Sequence, residues 1–348
     1  VPRPIGNCVP IDRPGIRIIA QSNGNTLLFI MKIAALLVAL SVLAYPQAKR
    51  SPSAVGTAIP GDAKETILLW PNGAPEAIGD TFDDQPKLWC YPASGPGPHT
   101  AVVVIPGGGY NHLVTEQEGA LEARWLNTLG ISAYILQYRL GPRYLYPIPQ
   151  IDGQRAVRYV RAHAKDWLLN PEAIGVWGFS AGGHLAGFLA TAHPRGSPEL
   201  PLGAVAKNTQ NGDTIDHVSA RPDFAILSYA RVAVTREIPG SWSIPALTGP
   251  DPSDELNRDI SPVDHVSKST SPSFIYATEF DEKVNSMNAT AFFNALRRAE
   301  VPAELHVFER GPHGTHMGTD QPNYPELRVF PLLLENWLHV HNFLAARP

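Results

Sequence analysis

The sequence predicts an α/β protein: a mainly parallel sheet of eight strands with helices on both faces. Three observations predict it. Apolar runs of strand length alternate with segments of helical periodicity from residue 65 onward. Several runs, residues 101–105 (AVVVI) above all, are apolar at every position, as a strand covered on both faces must be. The chain has 348 residues, 44% hydrophobic and 17% charged, which is enough apolar material for one large core.

Residues 65–70 (ETILLW) and 86–91 open the sheet, and 101–105 is its first fully apolar strand. Residues 117–129 carry Leu121, Trp125 and Leu129 at helical spacing, and Gly130 ends that helix. Residues 131–138 (ISAYILQY) return as a strand. Residues 150–168 place Ile151, Val157, Val160, Ala164 and Leu168 near one helix face. A short strand at 174–177 and a small-residue helix at 181–192 follow, then strands at 223–229 (DFAILSY) and 273–278 (SFIYAT). Residues 286–299 form a helix with Ala289, Phe292, Phe293 and Leu296 inward. Residues 303–308 (AELHVF) are the last strand and 327–345 the closing helix.

Ahead of these elements, Met31-Lys32 and the apolar run 33–44 have the charge and length of a signal peptide. Residues 1–30 then read as upstream sequence from an early start, 31–48 as the signal peptide, 49–64 as a linker and 65–348 as the folded domain. The expected location is secreted or periplasmic. The apolar run is too short for a stable membrane span. A net charge of −4 with no Lys or Arg run argues against nucleic acid as a partner. The two cysteines, Cys8 and Cys90, form no CxxC or Cys/His cluster, so no zinc site is expected and Cys90 reads as a half-buried structural thiol. The sequence implies no metal or organic cofactor and sets no oligomeric state.

Four motifs carry chemistry. Gly178-Phe179-Ser180-Ala181-Gly182 is a G-x-S-x-G pattern directly between a strand and a helix. That context suits a nucleophile on a sharp turn at a helix N-terminus. Pro106-Gly107-Gly108-Gly109-Tyr110 follows the strand AVVVI. Amides of Gly108 or Gly109, with that of Ala181, are candidate oxyanion donors, since glycines let a substrate approach the backbone. It lacks the pattern of a phosphate loop. Asp281, after the strand SFIYAT, is the first candidate acid, with Glu279 and Glu282 as competitors. His313, after the last strand, is the first candidate base, with His316 as its competitor. His184, His112 and His265 read as structural or surface histidines. The chain order Ser, Asp, His is the one α/β-hydrolases use.

The run PGGGY, with EGALEARWLNTLGISAYILQYRLG, IDGQRAVRYVRAHAKDWLLNPEAIGVWGFSAGGHLAG, RPDFAILSY and VPAELHVFERGPHG, resembles the bacterial bifunctional feruloyl and acetyl xylan esterases, some of them described as xylanase-like. The resemblance covers about residues 66–345. It implies an α/β-hydrolase fold, with Ser180 as nucleophile, Asp281 as acid and His313 as base. That family's usual D-x-x-V-P stands here as Asp281-Glu282-Lys283-Val284-Asn285, without the proline, which bears on acyl preference.

The expected activity is removal of acetyl or feruloyl groups from xylan-type polysaccharide through an acyl-enzyme. A general carboxylesterase, a peptidase and a non-catalytic carbohydrate-binding homologue are the alternatives. Residues 207–219 and 231–262, poorly patterned, are expected to form a lid or substrate wall, with Tyr110 and Trp242 as candidate substrate contacts.

Overall fold

A computed structural model describes residues 60–191 and 213–344. The expected leader and residues 1–59 lie outside them. Eight strands form one sheet: β1 (Glu65–Leu68), β2 (Lys87–Tyr91), β3 (His99–Ile105), β4 (Ser132–Gln137), β5 (Leu169–Phe179), β6 (Ala225–Ser228), β7 (Ser273–Thr278) and β8 (Ala303–Phe308). Their order is β1-β2-β4-β3-β5-β6-β7-β8. The β1–β2 and β2–β4 pairs are antiparallel, and every later pair is parallel. This is the mostly parallel sheet that the apolar runs predict.

Side chains alternate across the pleat and feed two cores. On one face, Val103, Val176, Leu227 and Ile275 pack against Leu185, Leu189, Val157 and Phe292. These last belong to helices α2 (Ile148–Ala162), α3 (Ser180–Thr191) and α6 (Met287–Arg298). On the other face, Val102, Val104, Trp177, Ile226 and Phe274 pack with Leu126 of α1 (Leu121–Thr128) and with Phe330, Leu334 and Trp337 of α7 (Phe330–Val340). Two short helices, α4 (Pro245–Thr248) and α5 (Asp254–Asp259), lie in the stretch without apolar periodicity. No helix among the described residues is long and apolar enough to cross a membrane.

Several expectations need correcting. The helix expected over 150–168 ends at Ala162. Leu168 adopts φ +56 and hands its carbonyl to the His99 amide at 2.8 Å, so its side chain is 58% exposed rather than inward. Leu121, Trp125 and Leu129 are only partly buried; Ala123 and Leu126 are the deeper residues of α1. The closing helix is interrupted: a 3-10 turn (Pro325–Val329) precedes α7, which ends at Val340. Cys90 is buried, not half-buried, and burial pushes its thiol up to about 12. The last residues of the expected linker are tied down, for Asp62 accepts hydrogen bonds from Tyr91 at 2.6 Å and Arg124 at 2.9 Å.

Polar groups inside the fold are mostly paired. Arg139, just after β4, and Asp152 of α2 are both fully buried and share a forked ion pair of 2.6–3.1 Å. This fixes α2 to the sheet edge. The side-chain amides of Gln150 and Asn257 are exceptions, and so is Glu122 of α1. It is completely buried, and neither carboxyl oxygen meets a hydrogen-bond partner, its own amide aside. Burial therefore holds it protonated, well above the ordinary glutamate value of 4.5. The folded state keeps this proton while the unfolded chain loses it above about pH 4.5, so the group's contribution to stability falls as pH rises past that point. Glu122→Met keeps the volume without the polar burial, and is expected to stabilise the fold by about 1–3 kcal/mol at pH 8. The gain is expected to shrink toward pH 4. Thermal melts at the two pH values check this; an equal gain at both contradicts it.

Candidate active site

The parallel strands deliver their C-terminal ends to one edge, where ligand sites of such sheets form. Five turns meet there: after β3 the glycine run, after β5 the serine, after β6 Tyr229, after β7 Asp281 and after β8 His313.

The serine turn is dictated by sterics. Ser180 has φ +51, a strained value for a residue with a side chain. A Cβ on Gly178 would stand 2.2 Å from the Gly182 carbonyl oxygen, and one on Gly182 would stand 2.0 Å from that of Ile105. No side chain fits at either place, which is the physical content of the G-x-S-x-G pattern. α3 begins at Ser180, so the Ala181 amide lies in its first turn, where amides have no partner within the helix.

His313 brings the site together. Its Nε2 lies 2.8 Å from Ser180 Oγ and its Nδ1 lies 2.8 Å from Asp281 Oδ2. The carboxylate can only accept, so Nδ1 carries the proton and Nε2 accepts from the serine hydroxyl. Asp281 is itself fixed: its Oδ1 accepts the amides of Lys283 and Val284, each at 2.8 Å. The competing acids are engaged elsewhere. Glu279 accepts from the Ser286 hydroxyl, and Glu282 from the His313 backbone amide at 3.2 Å. His316 faces the same cavity, but its Nδ1 pairs with Asp320 at 3.1 Å.

The glycine run forms the opposite wall. Gly108 has φ +124, and a Cβ there would stand 2.1 Å from the His112 carbonyl oxygen. Gly108, Gly109, Ser180, Ala181 and His313 line one cavity of about 640 Å³. Tyr110 reaches it, but its ring is fully buried and its hydroxyl lies 2.7 Å from His184 Nδ1. The other ring nitrogen, Nε2, donates to the Ile260 carbonyl at 2.6 Å, so Nδ1 accepts from Tyr110. Burial pushes His184 down to about 4 and keeps it neutral. Tyr110 is thus a strut rather than an exposed substrate contact.

Trp242 lies elsewhere. It lines a second groove with Arg236 and Arg258, and the Arg236 guanidinium covers its ring at 3.2 Å. Of the stretch 231–262, it is Arg231, Ile244, Pro245 and Ala246 that wall the cavity of Ser180. Asp213 and Asp216, from the other unpatterned segment, pair instead with Arg155 of α2 at 2.5 and 2.9 Å. Residues 207–212 lie outside the described residues. His265 is exposed, its Nε2 on the carbonyls of Arg258 and Asp259.

Glu118 was not among the candidates read from the sequence. It is buried at the back of the Ser180 cavity and accepts the Gly107 amide at 2.8 Å and the Tyr229 hydroxyl at 2.9 Å. Its only signal in the sequence is the spacing Glu118–Glu122, two acids four apart in a helix that otherwise turns small and apolar residues inward.

The acetyl ester-xyloside bifunctional hydrolase from Caldicellulosiruptor lactoaceticus is 34% identical and superimposes with a TM-score of 0.72, covering 81% of this chain and 97% of that one. Endo-1,4-beta-xylanase B of Butyrivibrio fibrisolvens is 34% identical over 239 residues, 68% of this chain and 35% of that protein. Acetylxylan esterase of Xylanibacter ruminicola is 30% identical over 243 residues, 68% of this chain and 45% of that protein. The chain thus spans less than half the length of these two curated relatives. Residues 90–296 match the BD-FAE family model. A sheet of this order, a serine strained at φ +51 between strand and helix and a family match over more than half the chain lead to one assignment: the chain belongs to the BD-FAE family and has the α/β-hydrolase fold.

Proposed function

We propose that the protein is a serine carboxylic-ester hydrolase that removes acyl groups, acetyl in the first place and feruloyl in the second, from xylan-type polysaccharide. The observation that carries this reading is the pair of 2.8 Å contacts joining Ser180 to His313 and His313 to Asp281 at the floor of an open cavity. Ser180 Oγ attacks the ester carbonyl carbon while His313 Nε2 takes its proton. The Ala181 amide and those of Gly108 or Gly109 receive the negative charge that develops on the carbonyl oxygen. His313 then gives the proton to the departing sugar alcohol. Water, deprotonated by the same imidazole, opens the acyl-enzyme and frees the carboxylic acid. The relatives named acetylxylan esterase and acetyl ester-xyloside bifunctional hydrolase support the choice of substrate.

Product analysis on acetylated and feruloylated xylan, side by side, tests this. Acetate release that Ser180→Ala abolishes is expected. Ferulate release without acetate reverses the acyl order. Hydrolysis of small acetates with neither xylan product leaves a general carboxylesterase. Export by a leader beginning at Met31 belongs to the same proposal, and N-terminal sequencing of the protein recovered outside the cytoplasm tests it: retention of residues 1–30 contradicts it.

His316, although it faces the cavity, is assigned no proton transfer. A general base contributes about 10²–10⁴-fold, so His316→Ala is expected to retain more than about a tenth of kcat. Loss of activity equal to that of His313→Ala would contradict the assignment.

A further inference from the structure

We propose that Glu118 is a positioning residue for this hydrolysis: its buried carboxylate holds the glycine turn and the back of the catalytic imidazole in register. The inference rests on the esterase reading above.

Glu118 lies in a π turn (Glu116–Ala120) that leads into α1, at φ −123 and ψ 29, outside helical values. Such turns recur at functional sites because they redirect one side chain out of the helical row. Here the redirected side chain reaches two separate elements. Oε2 accepts the Gly107 amide, the first glycine of the run that continues into Gly108 and Gly109. Oε1 accepts the Tyr229 hydroxyl. Tyr229 follows β6 and sets its ring edge-on to His313, the centroids 5.1 Å apart. One carboxylate therefore ties the candidate oxyanion donors to the support of the base.

The fit is close. A Cβ on Gly107 would stand 2.6 Å from Glu118 Oε2 and 3.0 Å from Ser180 Cβ, so carboxylate, glycine turn and nucleophile touch in series. Burial pushes the Glu118 carboxyl up, while the Tyr229 hydroxyl, the Gly107 amide, His316 and His313 draw it down. An apolar residue would fill this space without desolvation cost. A carboxylate is justified by what it orders. Misplacing a donor or an imidazole by a fraction of an ångström slows the chemical step, whereas substrate binding, made largely by other walls, changes little.

The test uses Glu118→Ala, Glu118→Gln and Tyr229→Phe in the full chain. Three readouts are taken: turnover of a small acetate ester, inhibition by a trifluoromethyl ketone, and labelling by a fluorophosphonate. The ketone adds Ser180 Oγ at its carbonyl carbon and mimics the tetrahedral intermediate. Glu118→Ala is expected to lower kcat by about 30- to 100-fold with KM within about threefold, and to weaken ketone inhibition by the same factor as kcat/KM. Gln can accept from Gly107 with its oxygen and donate to Tyr229 with its amide, so Glu118→Gln is expected to return to within about fivefold of the parent. Tyr229→Phe keeps the ring and loses the tether; a loss of several-fold in kcat, matched by the ketone, is expected even if Glu118→Ala does not fold. A folded Glu118→Ala with unchanged kcat overturns the proposal. So does a loss seen only in melting temperature or KM while ketone affinity holds. A parent protein that neither turns over esters nor takes the phosphonate overturns the esterase reading instead.

Discussion

Ser180→Ala is expected to remove essentially all ester turnover, a fall on the order of 10⁶-fold in kcat if the three side chains act as one unit. The reason is geometric. Among the described residues, Ser180 Oγ is the hydroxyl that meets His313 Nε2, at 2.8 Å, and it stands on a turn where neither Gly178 nor Gly182 has room for a side chain. The turn packs tightly against the end of β3, since a Cβ on Gly182 would stand 2.0 Å from the Ile105 carbonyl oxygen. Alanine suffers the same strain at φ +51 as serine, so stability is expected to change by less than about 0.5 kcal/mol. Kinetics and a thermal melt on the same preparation check both halves. Retained turnover would place the nucleophile elsewhere.

Asp281→Asn is expected to lower kcat by about 10⁴-fold, the size of loss that the wrong imidazole tautomer causes in a serine protease triad. The local hydrogen bonds decide which way the asparagine points. The amides of Lys283 and Val284 need an acceptor at the Oδ1 position, so the asparagine oxygen stays there and its NH2 turns toward His313. His313 Nδ1 must then accept, its proton moves to Nε2, and the nitrogen facing Ser180 can no longer take a proton. Substrate binding is expected to be little affected, so KM changes far less than kcat. The pH–rate profile with a small acetate ester checks it. Activity near that of the parent would mean that Glu282, whose carboxylate already meets the His313 amide at 3.2 Å, can serve in its place.

How far the sequence reveals this molecule depends on what each residue type can do alone. The strands were legible because a strand covered on both faces has no room for polar residues, as in Val102, Val103 and Val104. The serine turn was legible because two glycines flank it for a steric reason. Asp281 was only one of three acids in the sequence; what separates it from Glu279 and Glu282 is backbone direction after β7, which residue type does not encode. Trp242 reads as a sugar platform until Arg236 is found across its ring. Leu168 reads as an inward helical residue until the left-handed turn into β5 faces it outward. Glu118 was hidden for a different reason: helical spacing sets it in the row of Leu121 and Trp125, where the sequence offers a carboxylate no partner, and only the fold brings the Gly107 amide and the Tyr229 hydroxyl to it.

The most direct measurement of the central claim is rapid-quench mass spectrometry of the protein mixed with an activated acetate ester, followed by peptide mapping. The account predicts a transient acetyl group on the Ser180 side chain. It should build up within the first turnover and be absent from His313→Ala. A stable acetyl group on another residue, or product formation with no acylated protein at any time, would contradict it.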